Sequence, residues 1–382
     1  MSEIRRHRLV FALLRPFCAL FARLQYNYHW DSLKEIEGPY LLLSNHNQEL
    51  DPILIGVSAW RQLYFVASEH LQRKGFVTKL LNYFLKPIVH QKGVSGATTV
   101  AKILRTLRSG SSVCLFPEGN RSFNGLTADF AASTGKMARR SGAKLVTYRL
   151  EGSYLTDPRW SMHTRKGHLY GRLVRVYTPE ELQAMTDAEV NAAIRQDLWE
   201  DAYARQSQLM IPYRGKDLAH GLETTIFICP QCHQVGSLVS EGDQARCSCG
   251  FHLTHDVYGY LHDDAGNSYT VTQLDQLQRE HLSFLLAQDS EYALFSDTVT
   301  LQRIGPNHEL LSQENGTLTA FRDRLELCGT AYPLEELVGA AVFSRNVLIL
   351  HTASEHLEIR SHAMFSALKY QYLFQFSKEK AE

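Results

Sequence analysis

His46, preceded by Asn45 and followed five residues later by Asp51, offers the parts of a general base. An imidazole titrates near neutrality, so it can take the proton of an alcohol while a hydrogen-bonded carboxylate stabilises the imidazolium that forms. An alcohol activated in this way attacks a thioester carbonyl directly, and the protein need supply no nucleophile of its own. Seventy residues after the histidine begins a second segment, Phe116-Pro117-Glu118-Gly119-Asn120-Arg121-Ser122. Gly119 lets the backbone approach a ligand, Arg121 presents planar paired donors matched to a phosphate, and Glu118 can accept hydrogen bonds from a polyol or hold Arg121 in place. Each segment also has a plainer reading. Asp51 precedes Pro52 and is a natural helix N-cap, and the second loop can be a solvated turn with its own Glu–Arg pair.

The surrounding elements place both segments at strand ends. Tyr40–Leu43 reads as a buried strand, 52–60 as a helix, 63–67 as a strand and 76–84 as a helix. Then come 87–90 (strand), 98–107 (helix), 112–116 (strand), 131–140 (helix) and 143–150 (strand). Strands alternating with helices predict an α/β layer fold with a largely parallel sheet flanked by helices, and such sheets bind ligands at their carboxyl edge. A helix over 186–206, capped by Thr186 or Asp187 with Glu189 following, is expected to close this domain, and the polar stretch 212–221 to separate it from the cysteine-containing segment.

That segment pairs Cys229-Pro230-Gln231-Cys232 with Cys247-Ser248-Cys249-Gly250. Two tight knuckles bring four thiolates together, which satisfies tetrahedral zinc and leaves no open coordination position, so the metal is expected to be structural; iron is the second choice. His233, His252 and His255 are reserve ligands. The other cysteines, Cys18, Cys114 and Cys328, read as small buried hydrophobes, and the odd total of seven argues for a reducing compartment. Few basic residues surround the cluster, with Arg246 isolated, so contact with protein is expected and nucleic acid is not. Beyond it, a helix over 271–287, six short strands between 298 and 360 and a helix over 362–376 predict a β-rich domain closed by a helix, in the manner of a pleckstrin-homology-like fold.

At 382 residues the chain has room for two or three domains, and its 44% hydrophobic and 21% charged content describe a folded protein. Forty acidic and forty basic residues cancel, so any attraction to an anionic surface must be local. It is local at the start. Arg5, Arg8, Arg15 and Arg23 fall on one side of a helix with Ala12 and Ala19, opposite Val10, Leu13, Leu14, Phe17, Leu20, Phe21 and Leu24. Arg15 and Arg23 interrupt the apolar run short of the roughly 20 residues a bilayer span needs, and no small-residue cleavage site ends it. A helix lying in the membrane interface, with Pro16 as a candidate kink, is therefore expected.

Taken together, Asn45-His46 with Asp51 and the later Phe-Pro-Glu-Gly-Asn-Arg-Ser segment resemble the glycerophospholipid acyltransferase family, in particular the bacterial 1-acylglycerol-3-phosphate acyltransferases, over roughly residues 30 to 210. The resemblance implies that His46 is the general base, Asp51 its orienting partner, and Glu118, Gly119, Asn120 and Arg121 contacts to the acceptor's phosphate and glycerol. It also implies a membrane-bound lysophospholipid acceptor and an acyl thioester donor, acyl-CoA or acyl carrier protein. Asn120 stands where the family usually has Thr. Where the family places an arginine after an intervening apolar strand, this chain has His90 or Lys92, and Lys92 is the candidate phosphate contact. Lys136, Arg159 and Arg165 are further candidate contacts, with solvation at the surface as their expected role. The resulting expectation divides the chain into an interface helix (1–28), an acyltransferase domain (29–212), a zinc ribbon (221–264) and a β-rich domain (265–382), acting peripherally at the cytoplasmic face of a membrane. The rival reading is a lipid-tethered adaptor whose first domain is inactive; a third is transfer to another lipid acceptor.

Overall fold

The computed structural model describes residues 3–68, 83, 86–90, 96–288, 291–306, 309–361 and 364–379. They form two compact units, one of Met1–Pro158 with Thr164–Arg214 and one of Arg159–His163 with Gly215–Glu382.

In the first unit, helix α1 (Glu3–Tyr26) leads into β1 (Tyr28–Trp30), β2 (Tyr40–Ser44), α2 (Asp51–Ser58), β3 (Leu63–Ser68) and β4 (Ile88–His90). Next come α3 (Ala97–Arg108), β5 (Ser112–Leu115), α4 (Ser133–Arg140), β6 (Lys144–Glu151), the short α5 (Ser153–Thr156) and β7 (Leu169–Tyr177). Helices α6 (Pro179–Ala184), α7 (Asp187–Leu198) and α8 (Ala202–Leu209) complete the unit. Among the described residues the sheet runs β1-β7-β6-β2-β5-β3-β4. Strand β2 is buried along its whole length, as befits the centre of a parallel sheet covered on both faces. Alternate residues feed two cores. Tyr40 and Leu42 face Leu54, Ile55 and Tyr148, whereas Leu41 and Leu43 face Ile103, Leu107, Met137 and Ile194. Each fully buried Leu contributes roughly 1.5–3 kcal/mol.

The sheet is largely parallel, as expected, and two features of this unit were not foreseen. Strand β7, unforeseen, pairs antiparallel with β6 and parallel with β1, so the sheet is mixed. The helix expected over 186–206 is two helices. Its N-terminal capping box of Thr186 and Glu189 is present, but the chain extends at Trp199 and restarts where the Asp201 side chain accepts from Tyr203 N and Ala204 N. The helix expected over 76–84 lies outside the described residues, apart from residue 83.

Helix α1 packs inward through a mixed face of small, aromatic and polar residues and turns its larger aliphatic residues outward. His7, Ala22 and Tyr26 are buried and Phe11, Arg15, Cys18 and Ala19 half-buried, whereas Leu9, Leu13, Phe17, Leu20 and Leu24 are exposed, Phe17 by 73%. Arg15 does not join a solvated basic face. Its Nε donates to Val57 O at 3.0 Å and Ala59 O at 2.8 Å, and its guanidinium lies 4.1 Å from the Trp60 ring centre. It thereby satisfies carbonyls at the C-terminus of α2, where a cation is also favoured by the helix dipole. By length and composition Ile4–Tyr26 is long and apolar enough to cross a bilayer, so Arg15 and Arg23 do not cut the run as short as expected; Arg23 stays exposed.

The second unit contains a five-stranded antiparallel sheet among the described residues, ordered β12-β11-β10-β9-β8, from β8 (Leu238–Glu241), β9 (Gln244–Cys247), β10 (His252–His255), β11 (Leu261–Asp263) and β12 (Ser268–Tyr269). Helix α9 (Val271–Ala287) comes next, opened by a Thr270–Gln273 capping box. Then β13 (Phe295–Ile304), β14 (Leu310–Ala320), β15 (Arg324–Leu327), β16 (Thr330–Pro333), β17 (Gly339–Phe343), β18 (Val347–His351) and β19 (His356–Arg360) form an antiparallel sheet ordered β16-β15-β14-β13-β19-β18-β17. Helix α10 (Ala367–Glu379) packs on β17 and β18. Arg159 and Arg165, expected in solvent, are each 2% exposed. Arg159 donates to Ser344 O at 2.7 Å and to Val342 O at 2.6 Å, which ties residues 159–163 into this unit. The division between the two units falls within 212–221, between Arg214 and Gly215, and Tyr213 and Ala219 are buried.

Candidate active site

The two motifs meet because of strand register. Strands β2 and β5 are parallel neighbours with Leu43 opposite Leu115, so residues three positions beyond each, His46 and Glu118, emerge side by side at the carboxyl edge. His46 N–H donates to Glu118 Oε1 at 2.7 Å, and Ser122 N–H donates to His46 O at 2.9 Å. On the other side Asn45 is locked to β6, its amide donating to Leu150 O at 3.0 Å and accepting from Leu150 N at 2.7 Å.

His46 Nδ1 lies 2.9 Å from Asp51 Oδ2. The same carboxylate oxygen accepts from Asn47 N at 2.7 Å and Gln48 N at 3.0 Å, and Oδ1 accepts from Ser153 Oγ at 2.9 Å. Asp51 is not the N-cap of α2. Leu50 holds that position without a side-chain bond, and Asp51, the first helical residue and fully buried, turns its carboxylate back onto the preceding loop. With Asp51 accepting from Nδ1, the tautomer assigned to His46 carries its proton there and leaves Nε2 as the basic atom. The ring stacks on Phe116 at 4.3 Å between centres and remains 20% exposed. Nε2 has no hydrogen-bond partner among the described residues, so it can accept a proton.

Glu118 braces two stretches of backbone. Its Oε1 holds His46 N and its Oε2 accepts from Ala128 N at 2.6 Å. Burial pushes its carboxyl up to about 8; the two backbone donors pull it down and the Asp51 charge adds to the rise. The native chain thus retains a proton that the unfolded chain releases between about pH 4.5 and 8, so stability falls as pH rises through that window, by up to ~1.4 kcal/mol per pH unit. Glu118→Gln, which cannot ionise, is expected to lose this part of the slope. Urea unfolding of both proteins across the window checks it, and parallel pH curves would contradict it.

Gly119 adopts φ +65°, a left-handed conformation suited to glycine, and Asn120 is half-buried beside it. Arg121 is 12% exposed at its side chain and places Nη2 3.4 Å from Oε1 of Glu49, which is 62% exposed. Lys92 lies outside the described residues, as does the side chain of His90, so neither is placed relative to this loop. Glu49 and Ser153 were not foreseen. Glu49 sits inside the first motif but 72 residues from Arg121, so the sequence carries no signal of their pairing. Ser153 lies 102 residues from Asp51, and nothing in local sequence marks it.

The cysteines meet as expected. Sγ of Cys229 is 3.8 Å from that of Cys249, and Sγ of Cys232 is 3.7 Å from that of Cys247, with all four sulfurs within 4.8 Å of one another. Tetrahedral zinc with bonds of ~2.3 Å requires sulfur–sulfur edges of about 3.8 Å, so the residues fit that metal. His233, at φ +60°, and Gly250, at φ +94°, close the two knuckles. The reserve histidines are engaged elsewhere: His233 stacks on His281, His252 meets Asp264 and His255 meets the Asp256 carbonyl.

Residues 25–151 match the family model described as Acyltransferase. Among characterised proteins, the 1-acyl-sn-glycerol-3-phosphate acyltransferase of Borreliella burgdorferi is 27% identical over 111 residues. That match covers 29% of this chain and 44% of the relative's own length. The crystal structure of the 1-acyl-sn-glycerophosphate (LPA) acyltransferase PlsC from Thermotoga maritima aligns with a TM-score of 0.44 at 16% identity, covering 52% of this chain and 79% of that one.

Proposed function

We propose that the first unit transfers a fatty acyl group from a thioester, acyl-CoA or acyl carrier protein, to the free hydroxyl of a lysophospholipid, with 1-acylglycerol 3-phosphate as acceptor and phosphatidic acid as product. The observation that carries this reading is the 2.9 Å bond between His46 and Asp51, bracketed by a loop that holds Glu118 and Arg121. His46 Nε2 takes the hydroxyl proton, and the alkoxide oxygen attacks the thioester carbon. Thiolate leaves as the tetrahedral intermediate collapses, and the imidazolium returns the proton to it. Asp51 fixes the tautomer and stabilises the cation. Arg121 binds the acceptor's phosphate, which displaces the exposed Glu49 from it; Gly119, Asn120 and Lys92 are the further contacts, and Glu118 holds the loop against His46.

Arg121→Ala is expected to raise the acceptor KM by about 10-fold or more with a smaller change in kcat, because a charge-assisted bond to phosphate contributes roughly 1.5–3 kcal/mol. Initial rates against acceptor concentration measure it; an unchanged KM would remove Arg121 from the phosphate site.

The outward apolar stripe of α1 supports residence at a membrane, since an exposed patch of this kind on a folded domain marks an interaction surface. We place the protein peripherally, at the cytoplasmic face. We assign 1–28 to this anchor, 29–212 to the acyltransferase domain, 221–264 to a zinc ribbon and 265–382 to a β-rich module of pleckstrin-homology-like type that meets a protein partner. When bound, zinc would be held by Cys229, Cys232, Cys247 and Cys249 and would supply folding stability. A labelled acyl thioester offered with a panel of lysolipids, with and without phosphate, tests the function. Transfer to no acceptor would favour the adaptor reading, and transfer only to phosphate-free acceptors would exclude 1-acylglycerol 3-phosphate.

A further inference from the structure

A cavity of about 260 Å³ lies against α1 at the amino-terminal edge of the first sheet. Its lining includes Ser112, the first residue of β5, and Gln62, just before β3, whereas His46 lies just past the last residue of β2 at the opposite edge. Five residues of strand separate the edges by roughly 15 Å, so this is a different place from the acyltransferase centre. The lining carries Arg8 and Arg61, both exposed and neither paired with a carboxylate among the described residues. Gln62 also lines it, only 6% exposed, with Oε1 lacking a partner among the described residues. The rim is Trp60, 49% exposed, with Lys34 and Arg15 over its ring. Ala12 completes the α1 side, and the residues next to the α1 lining positions, Leu9 and Leu13, belong to the outward apolar stripe.

Two arginines, a buried amide and a half-exposed tryptophan, set beside an apolar stripe, match one occupant. We propose that this cavity binds the headgroup of an anionic phospholipid: Arg8 and Arg61 take the phosphate, Gln62 takes a headgroup hydroxyl, and the acyl chains run along Leu9 and Leu13. The site is distinct from the one that holds the reacting lipid. It serves to seat α1 at a fixed depth and rotation on an acidic bilayer, and it rests on the reading of α1 as a membrane helix.

The test is flotation of the full chain with vesicles of phosphatidylcholine alone and with added phosphatidylglycerol. Arg8→Ala/Arg61→Ala is expected to lose about 25-fold in affinity for the acidic vesicles, about 5-fold per arginine, while keeping its affinity for phosphatidylcholine. Arg5→Ala/Arg23→Ala removes the same charge from α1 outside the cavity and is expected to lose distinctly less. Equal losses in the two variants would reduce the effect to diffuse charge and overturn the site. So would competition by millimolar inorganic phosphate at constant ionic strength, which would make it a site for free phosphate. Equal binding of all three proteins to both vesicles overturns the cavity alone; binding of the wild type to neither overturns the membrane reading with it.

Discussion

Purified His46→Ala is expected to transfer acyl groups about 10³-fold more slowly than the wild type, with its thermal unfolding little changed. The ring is one-fifth exposed and rests on one face of Phe116, so its loss opens a surface notch and no deep cavity. The backbone bonds that shape the loop, His46 N to Glu118 and Ser122 N to His46 O, survive the substitution. A thioester assay at saturating acceptor measures the effect, alongside a melting curve. A folded variant with normal turnover would remove the imidazole from the reaction, and the 2.9 Å pair with Asp51 would become a device for loop stability alone.

Metal removal is expected to have the second large effect. The isolated chain should carry about one zinc, and either stripping it or substituting Cys229→Ser should unfold residues 221–264, since structural zinc sites supply roughly 10–16 kcal/mol of folding free energy at neutral pH. The reasons are local. Five short strands bury few apolar side chains, and Cys229 and Cys247, both buried, sit where a larger module would place core residues. Atomic absorption gives the metal content, and limited proteolysis reports the folding. Equal protease resistance of metal-free and metal-loaded protein would make the four sulfurs incidental neighbours; a visible thiolate-to-iron absorption band would replace zinc by iron.

The motifs and the elements beneath them were legible in sequence because both rest on short-range regularities. Tyr40–Leu43 announces a doubly buried strand by an unbroken apolar run, and the cysteine knuckles announce themselves by spacing. What escaped depends on contacts between distant segments. Leu169–Tyr177 carries Arg172 and Arg175 among its apolar residues, so it does not resemble a strand until β6 pairs with it. Arg15 looked like a solvated charge because nothing in a helical wheel reveals the carbonyls of Val57 and Ala59 waiting beside it. Arg159 misled in the same way, its partners lying more than 180 residues away. Asp51 shows the limit at one residue: the Asp-Pro pair correctly marks a helix start, yet four donors outside the helix decide where the carboxylate points.

The pairing of Leu43 with Leu115 has a consequence for how such a protein can vary. His46 and Glu118 arrive together because their alignment is set by ladder position and not by the length of the connection beyond α2. Insertions in loops of that connection therefore leave the pair in place, whereas deleting one residue between Leu43 and His46, or between Leu115 and Glu118, would pull one partner out of step with the other.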